Sequence, residues 1–80
     1  MNFILSKTII TKSGKCVYKL YEFKLTPGHY HAKLTSQTEP GSVAEFNFTK
    51  RKNKWETSLR SKEAKRLAEI FGNEIDKMKN

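Results

Sequence analysis

Two periods divide the chain. Up to about residue 59 the apolar positions come in short runs or alternate with polar ones, and from residue 62 onward they recur every three or four residues. Residues 2–11 are apolar and β-branched without a helical period, which predicts a first strand. Lys12-Ser13-Gly14-Lys15 follows, and Gly14 supplies the positive φ of a tight hairpin, so strands one and two are expected to be antiparallel neighbours. Strand two is predicted over 16–25. It places Val17, Lys19, Tyr21, Phe23 and Leu25 on one face and Tyr18 and Leu20 on the other, so both faces carry apolar groups.

Thr26-Pro27-Gly28 and Glu39-Pro40-Gly41 predict two further turns. Between them, Tyr30, Ala32 and Leu34 alternate with His29, His31, Lys33, Thr35 and Gln37, the signature of a half-buried strand. A fourth strand over 42–50 is expected to point Ala44, Phe46 and Phe48 inward. Residues 50–54 are too polar for a core strand and read as a loop or a frayed strand end. A short fifth strand over 54–59 would carry Trp55, Thr57 and Leu59 on one side. The period then changes. Ala64, Leu67, Ala68, Phe71, Ile75 and Met78 mark one face of a helix over about 62–78, with Ser61 as its N-cap and Gly72 as a weak point.

These elements predict an α+β fold: a four- or five-stranded antiparallel β-meander with one C-terminal helix packed on the sheet. The 80 residues make a single domain, 1–80. One helix covers one face, and the apolar groups on both sides of strand two leave surface over. A homodimer burying that surplus is the expected remedy for so small a core.

Composition narrows the function. The single cysteine, Cys16, excludes an internal disulfide and a cysteine zinc cluster. No stretch reaches the ~20 apolar residues of a membrane helix, and the start lacks the pattern of a signal peptide, so no membrane partner and a cytoplasmic location are expected. His29 and His31 share a strand face but lack a third ligand group in the pattern, so they read as a solvated pair rather than a metal site. The acids are spread singly, Cys16 has no base pattern beside it, and the glycines form no phosphate loop. No enzyme, cofactor or metal is expected.

Charge changes the picture most. The chain carries a net +8, and residues 50–66 alone hold five Lys and three Arg against two Glu. An excess so concentrated attracts polyanions. The candidate nucleic-acid-binding residues are Lys50, Arg51, Lys52, Lys54, Arg60, Lys62, Lys65 and Arg66 for phosphates, with Trp55 as a stacking plate or, in the reading its place beneath the helix favours, a core residue. Tyr18, Tyr21 and Phe23 offer a second reading, as a sheet-face platform for bases, an interface or core. The order of elements is similar to that of the single-stranded-DNA-binding transcriptional coactivators and of the sheet DNA-binding domains of phage integrases. No motif residue accompanies that similarity, so it transfers no site. A small Lys-rich chain of this kind suits a phage or mobile element. The function expected is a small non-enzymatic nucleic-acid-binding protein, DNA or RNA; the alternative is an interaction module whose basic face meets an acidic protein.

Overall fold

The computed structural model describes residues 1–12 and 14–79, so Ser13 of the first expected turn and the terminal Asn80 lie outside the described residues. Five strands, β1 (Asn2–Thr11), β2 (Gly14–Glu22), β3 (His29–Gln37), β4 (Glu45–Arg51) and β5 (Lys54–Thr57), pair in sequence order as an antiparallel meander. One helix, α1 (Lys62–Lys79), follows and packs on one face. The α+β meander anticipated from the hydrophobic pattern is the fold observed.

Alternation decides which side chains meet. Leu20, Ala32 and Phe46 form one row across β2, β3 and β4, and Tyr30 and Phe48 face each other in the next. All five are buried beneath the helix, together with Cys16, Tyr18 and Ile9. The helix inserts Ala64, Leu67, Ala68, Phe71 and Ile75 from its apolar stripe. Phe71 is the centre of this layer. Its ring lies 5.1 Å from Tyr18, 6.2 Å from Phe46 and 6.3 Å from Phe48. The Tyr18 hydroxyl, inside the core, donates to the Val43 carbonyl at 2.6 Å. The helix starts as expected, with the Ala64 N–H donating to Ser61 Oγ at 3.3 Å, which satisfies one of its free N-terminal groups.

The boundaries correct the expectations in several places. β2 ends at Glu22, so Leu25 belongs to the turn and is 96% exposed. β4 begins at Glu45, and Ala44 is exposed rather than inward; its carbonyl instead accepts the Leu34 N–H at 2.7 Å. β5 stops at Thr57, leaving Leu59 exposed, and Met78 is likewise exposed on the last helical turn. Residues 50–54, expected as a loop or a frayed strand end, are the end of one strand, a tight turn and the start of the next. β4 runs to Arg51, which pairs with Lys54 across a two-residue turn in which Lys52 and Asn53 have φ of 52° and 66°. Two consecutive left-handed residues are the type I′ turn that matches strand twist, and Asn is one of the few side chains that favours it.

Gly72, expected as a weak point, has a packing role. A Cβ placed there would sit 2.0 Å from Cδ2 of Trp55, so the bare backbone is the notch that receives the indole.

Candidate nucleic-acid interface

The nine candidate residues are placed in two groups, with one of them serving the core. At the β4–β5 turn, Arg51, Lys52 and Lys54 are exposed. Lys50 stands beside them in sequence but points to the helix side, where its Nζ lies 3.0 Å from Asp76 and 5.8 Å from the Trp55 ring centre. Trp55 is half-buried. Its ring packs 5.6 Å from Tyr30 and 5.7 Å from Phe48, and its indole N–H donates to the same Asp76 carboxylate at 3.1 Å. That indole hydrogen bond, followed by the one from Lys50, holds the Asp76 carboxyl below its ordinary range. Trp55 therefore closes the edge of the core against Gly72 and is not a free stacking plate.

The second group lies at the other end of β5. Arg60, Lys62, Lys65 and Arg66 are exposed around the start of α1. Lys62 and Arg66 border a shallow concavity of about 300 Å³ with Glu63, Gly41 and Lys12. Lys12 comes from the β1–β2 turn, about fifty residues away in sequence, so no local charge count could assign it. Lys65 lines a separate hollow with Trp55 and Glu69. The continuous basic run of the sequence thus becomes two patches separated by the length of β5, which at about 3.4 Å per residue is on the order of 13 Å.

The strand-two aromatics also separate. Tyr18 is in the core, whereas Tyr21 and Phe23 are on the opposite, helix-free face of the sheet. There Phe3, Tyr21, His31 and Asn47 form one row across four strands. Phe3 meets Tyr21 edge-on at 5.7 Å, and Phe23 meets His31 edge-on at 6.3 Å. His31 is held in place by Asn47 through Nδ1 and by Glu45 at 3.3 Å through Nε2. The neighbouring row places Lys19 directly opposite Lys33. Below them, His29, Asn47, Thr49, Arg51 and Glu56 line a shallow groove of about 360 Å³.

Three lysines that face the helix-covered side, by contrast, are matched. Besides Lys50, Lys7 pairs with Glu74 at 2.9 Å, and Lys79 donates to the Tyr30 hydroxyl at 2.8 Å. The Lys7 hydrogen bond lowers the Glu74 carboxyl, and the Tyr30 hydrogen bond raises the Lys79 ammonium. Among the described residues no group of three His, Cys, Asp or Glu side chains is arranged to hold a metal ion, and no helix is long and apolar enough to cross a membrane.

The class defined by this geometry is a five-stranded antiparallel meander with one helix-covered face and one open face. Compared with protein-family models, curated proteins and solved structures, the chain matches none.

Proposed function

We infer that the chain is a small non-enzymatic nucleic-acid-binding protein that engages the phosphate backbone. One observation carries this reading. Of the seven exposed cations between residues 51 and 66, only Arg51 has an acid within ion-pair distance among the described residues, and that contact, to Glu56, is 3.9 Å long. Surface lysines and arginines left without partners are free to exchange small counterions for phosphates, and the release of those counterions drives binding. Lys50 and Trp55, candidates in the sequence, are withdrawn from the interface because they are engaged with Asp76.

The test is direct. Affinity for mixed-sequence oligonucleotides is expected to fall with salt along a log–log slope of about 0.7–0.9 per phosphate contacted. Replacing Arg51, Lys52 and Lys54 together by Glu is expected to abolish binding while the melting temperature holds, since none of the three packs in the core. Absence of any binding to single- or double-stranded DNA or RNA at about 50 mM salt, where even non-specific attraction is visible, would overturn the reading. An acidic protein would then be the polyanion to seek.

A further inference from the structure

We propose that the open face of the sheet is a platform for single-stranded nucleic acid, with bases stacking on Phe3, Tyr21, Phe23 and His31 and phosphates held by Lys19 and Lys33. This rests on the nucleic-acid reading above and adds where the strand lies and that it is unpaired.

The face combines two features. The first is aromatic. Phe3 remains 56% exposed at the end of the row, Tyr21 and Phe23 are half-buried, and the His31 side chain keeps 16% of its surface open beside Phe23. Among the described residues no second layer covers them, since α1 lies on the other side. The second feature is electrostatic. Lys19 and Lys33 stand opposite each other on adjacent strands, where like charges are destabilising; Glu45 lies across from Lys33 on β4 but bonds His31, and neither lysine has an ion-pair partner among the described residues. A phosphate lying across both would turn that repulsion into attraction.

The spacing unites the two. Lys19 and Tyr21 are two residues apart on β2, as are His31 and Lys33 on β3, so along each strand the Cα of a lysine lies about 6.8 Å from the Cα of a ring-bearing residue on the same face. Alternating ring and cation is what an unpaired strand, with alternating base and phosphate, can match. A duplex cannot, because its bases are stacked on each other and their faces are hidden. Charge also argues against a second copy as the occupant. The face carries Lys15, Lys19, Lys33, Arg51 and Lys54 against Glu45 and Glu56, and a two-fold contact would bring this positive surface against itself. Glu45 and Glu56 are already engaged, with His31 and Arg51.

Fluorescence anisotropy with a labelled oligo-dT of about twelve nucleotides, within the footprint of one small sheet domain, reads the proposal. Wild type is expected to bind it at least tenfold tighter than a duplex of the same length at equal salt. Tyr21→Ala is expected to weaken binding by about 5- to 100-fold, the range for removal of one stacking ring, while Tyr21→Phe keeps it. Lys19→Gln with Lys33→Gln, which touches no packed side chain, is expected to weaken binding and flatten its salt dependence. This pair of substitutions keeps the test decisive if Tyr21→Ala fails to fold. If the ring and lysine variants melt and bind like wild type while the Arg51, Lys52 and Lys54 reversal abolishes binding, the platform is wrong and the nucleic-acid reading stands. If wild type binds no nucleic acid at all, both fall. A dimer by light scattering that Tyr21→Ala converts to monomer, with oligo-dT affinity unchanged, would assign the face to self-association and overturn the proposal.

Discussion

The two faces of the sheet treat lysine in opposite ways. On the helix side Lys7, Lys50 and Lys79 are each answered, by Glu74, Asp76 and the Tyr30 hydroxyl, and two of those partners are acids of α1. On the open side Lys19 and Lys33 face each other across β2 and β3, and neither has an ion-pair partner among the described residues, although Glu45 stands opposite Lys33 on β4. Part of the chain's positive charge is therefore structural, fastening the last two turns of the helix to the sheet, and part has no ion-pair partner among the described residues. A count of charges along the sequence cannot tell one from the other. It does not show that Lys50 is paired with Asp76, nor that the fold brings Lys12 beside Lys62 and Arg66 and sets Lys19 opposite Lys33.

The sharpest way to break the comparison is to remove a ring from each face. Phe71→Ala, at the centre of the covered side, is expected to cost about 3–5 kcal/mol, enough to unfold most domains of this size. Phe3→Ala on the open side should cost no more than about 1 kcal/mol, the loss of one edge-on ring contact. Thermal melts of the two variants would contradict the account if their losses were similar.

Gly72→Ala tests the notch beneath Trp55. In an ordinary helix this change stabilises by about 1 kcal/mol. Here the new methyl meets the indole, and a net loss of about 1–3 kcal/mol is expected from overpacking. A stabilised variant in urea unfolding would mean that Trp55 is not seated there.

At alkaline pH the covered face should fail first. Burial, with smaller contributions from Glu63 and Cys16, pushes the Tyr18 hydroxyl from 10.0 up to about 12. Between these values the unfolded chain loses the proton while the folded one retains it, so stability falls as pH rises above 10.0. Unfolding monitored together with tyrosinate absorbance should show Tyr18 ionising only with the loss of structure, a signal that Tyr18→Phe removes.

The acid limb gives a smaller effect of opposite sign. Asp76 and Glu74 have carboxyls lowered in the folded state, chiefly by hydrogen bonds from Trp55 and Lys7. Their contribution is present above the ordinary carboxylate range and is lost as pH falls through the lowered values. Asp76→Asn should reduce the steepness of acid unfolding, whereas Lys19→Gln should leave it unchanged.

Much of this fold was legible in the pattern. The alternation of Tyr30, Ala32 and Leu34, the cap at Ser61 and the stripe through Leu67 and Phe71 depend on neighbours close in sequence, and all three hold. What escaped depends on contacts between distant segments. Ala44 and Leu59 fit the alternation yet fall beyond the ends of their strands, because register and turn geometry fix those ends. The Lys52-Asn53 turn lacks the glycine that usually announces a type I′ hairpin. Gly72 is conspicuous inside a helical pattern, but its reason is an indole seventeen residues earlier. The site divides in the same way. Exposed Arg51, Lys52 and Lys54 could be read from the charge run, while the opposition of Lys19 and Lys33 required the β2–β3 register.

Amide chemical-shift mapping during titration with oligo-dT tests the central claim most directly. The account predicts perturbations at Tyr21, His31, Lys33 and Asn47, on both sides of the Lys19–Lys33 pair, with the amides of Ile75 to Lys79 in α1 undisturbed. Perturbations confined to the start of the helix and the Lys12 turn, with the open face silent, would contradict it.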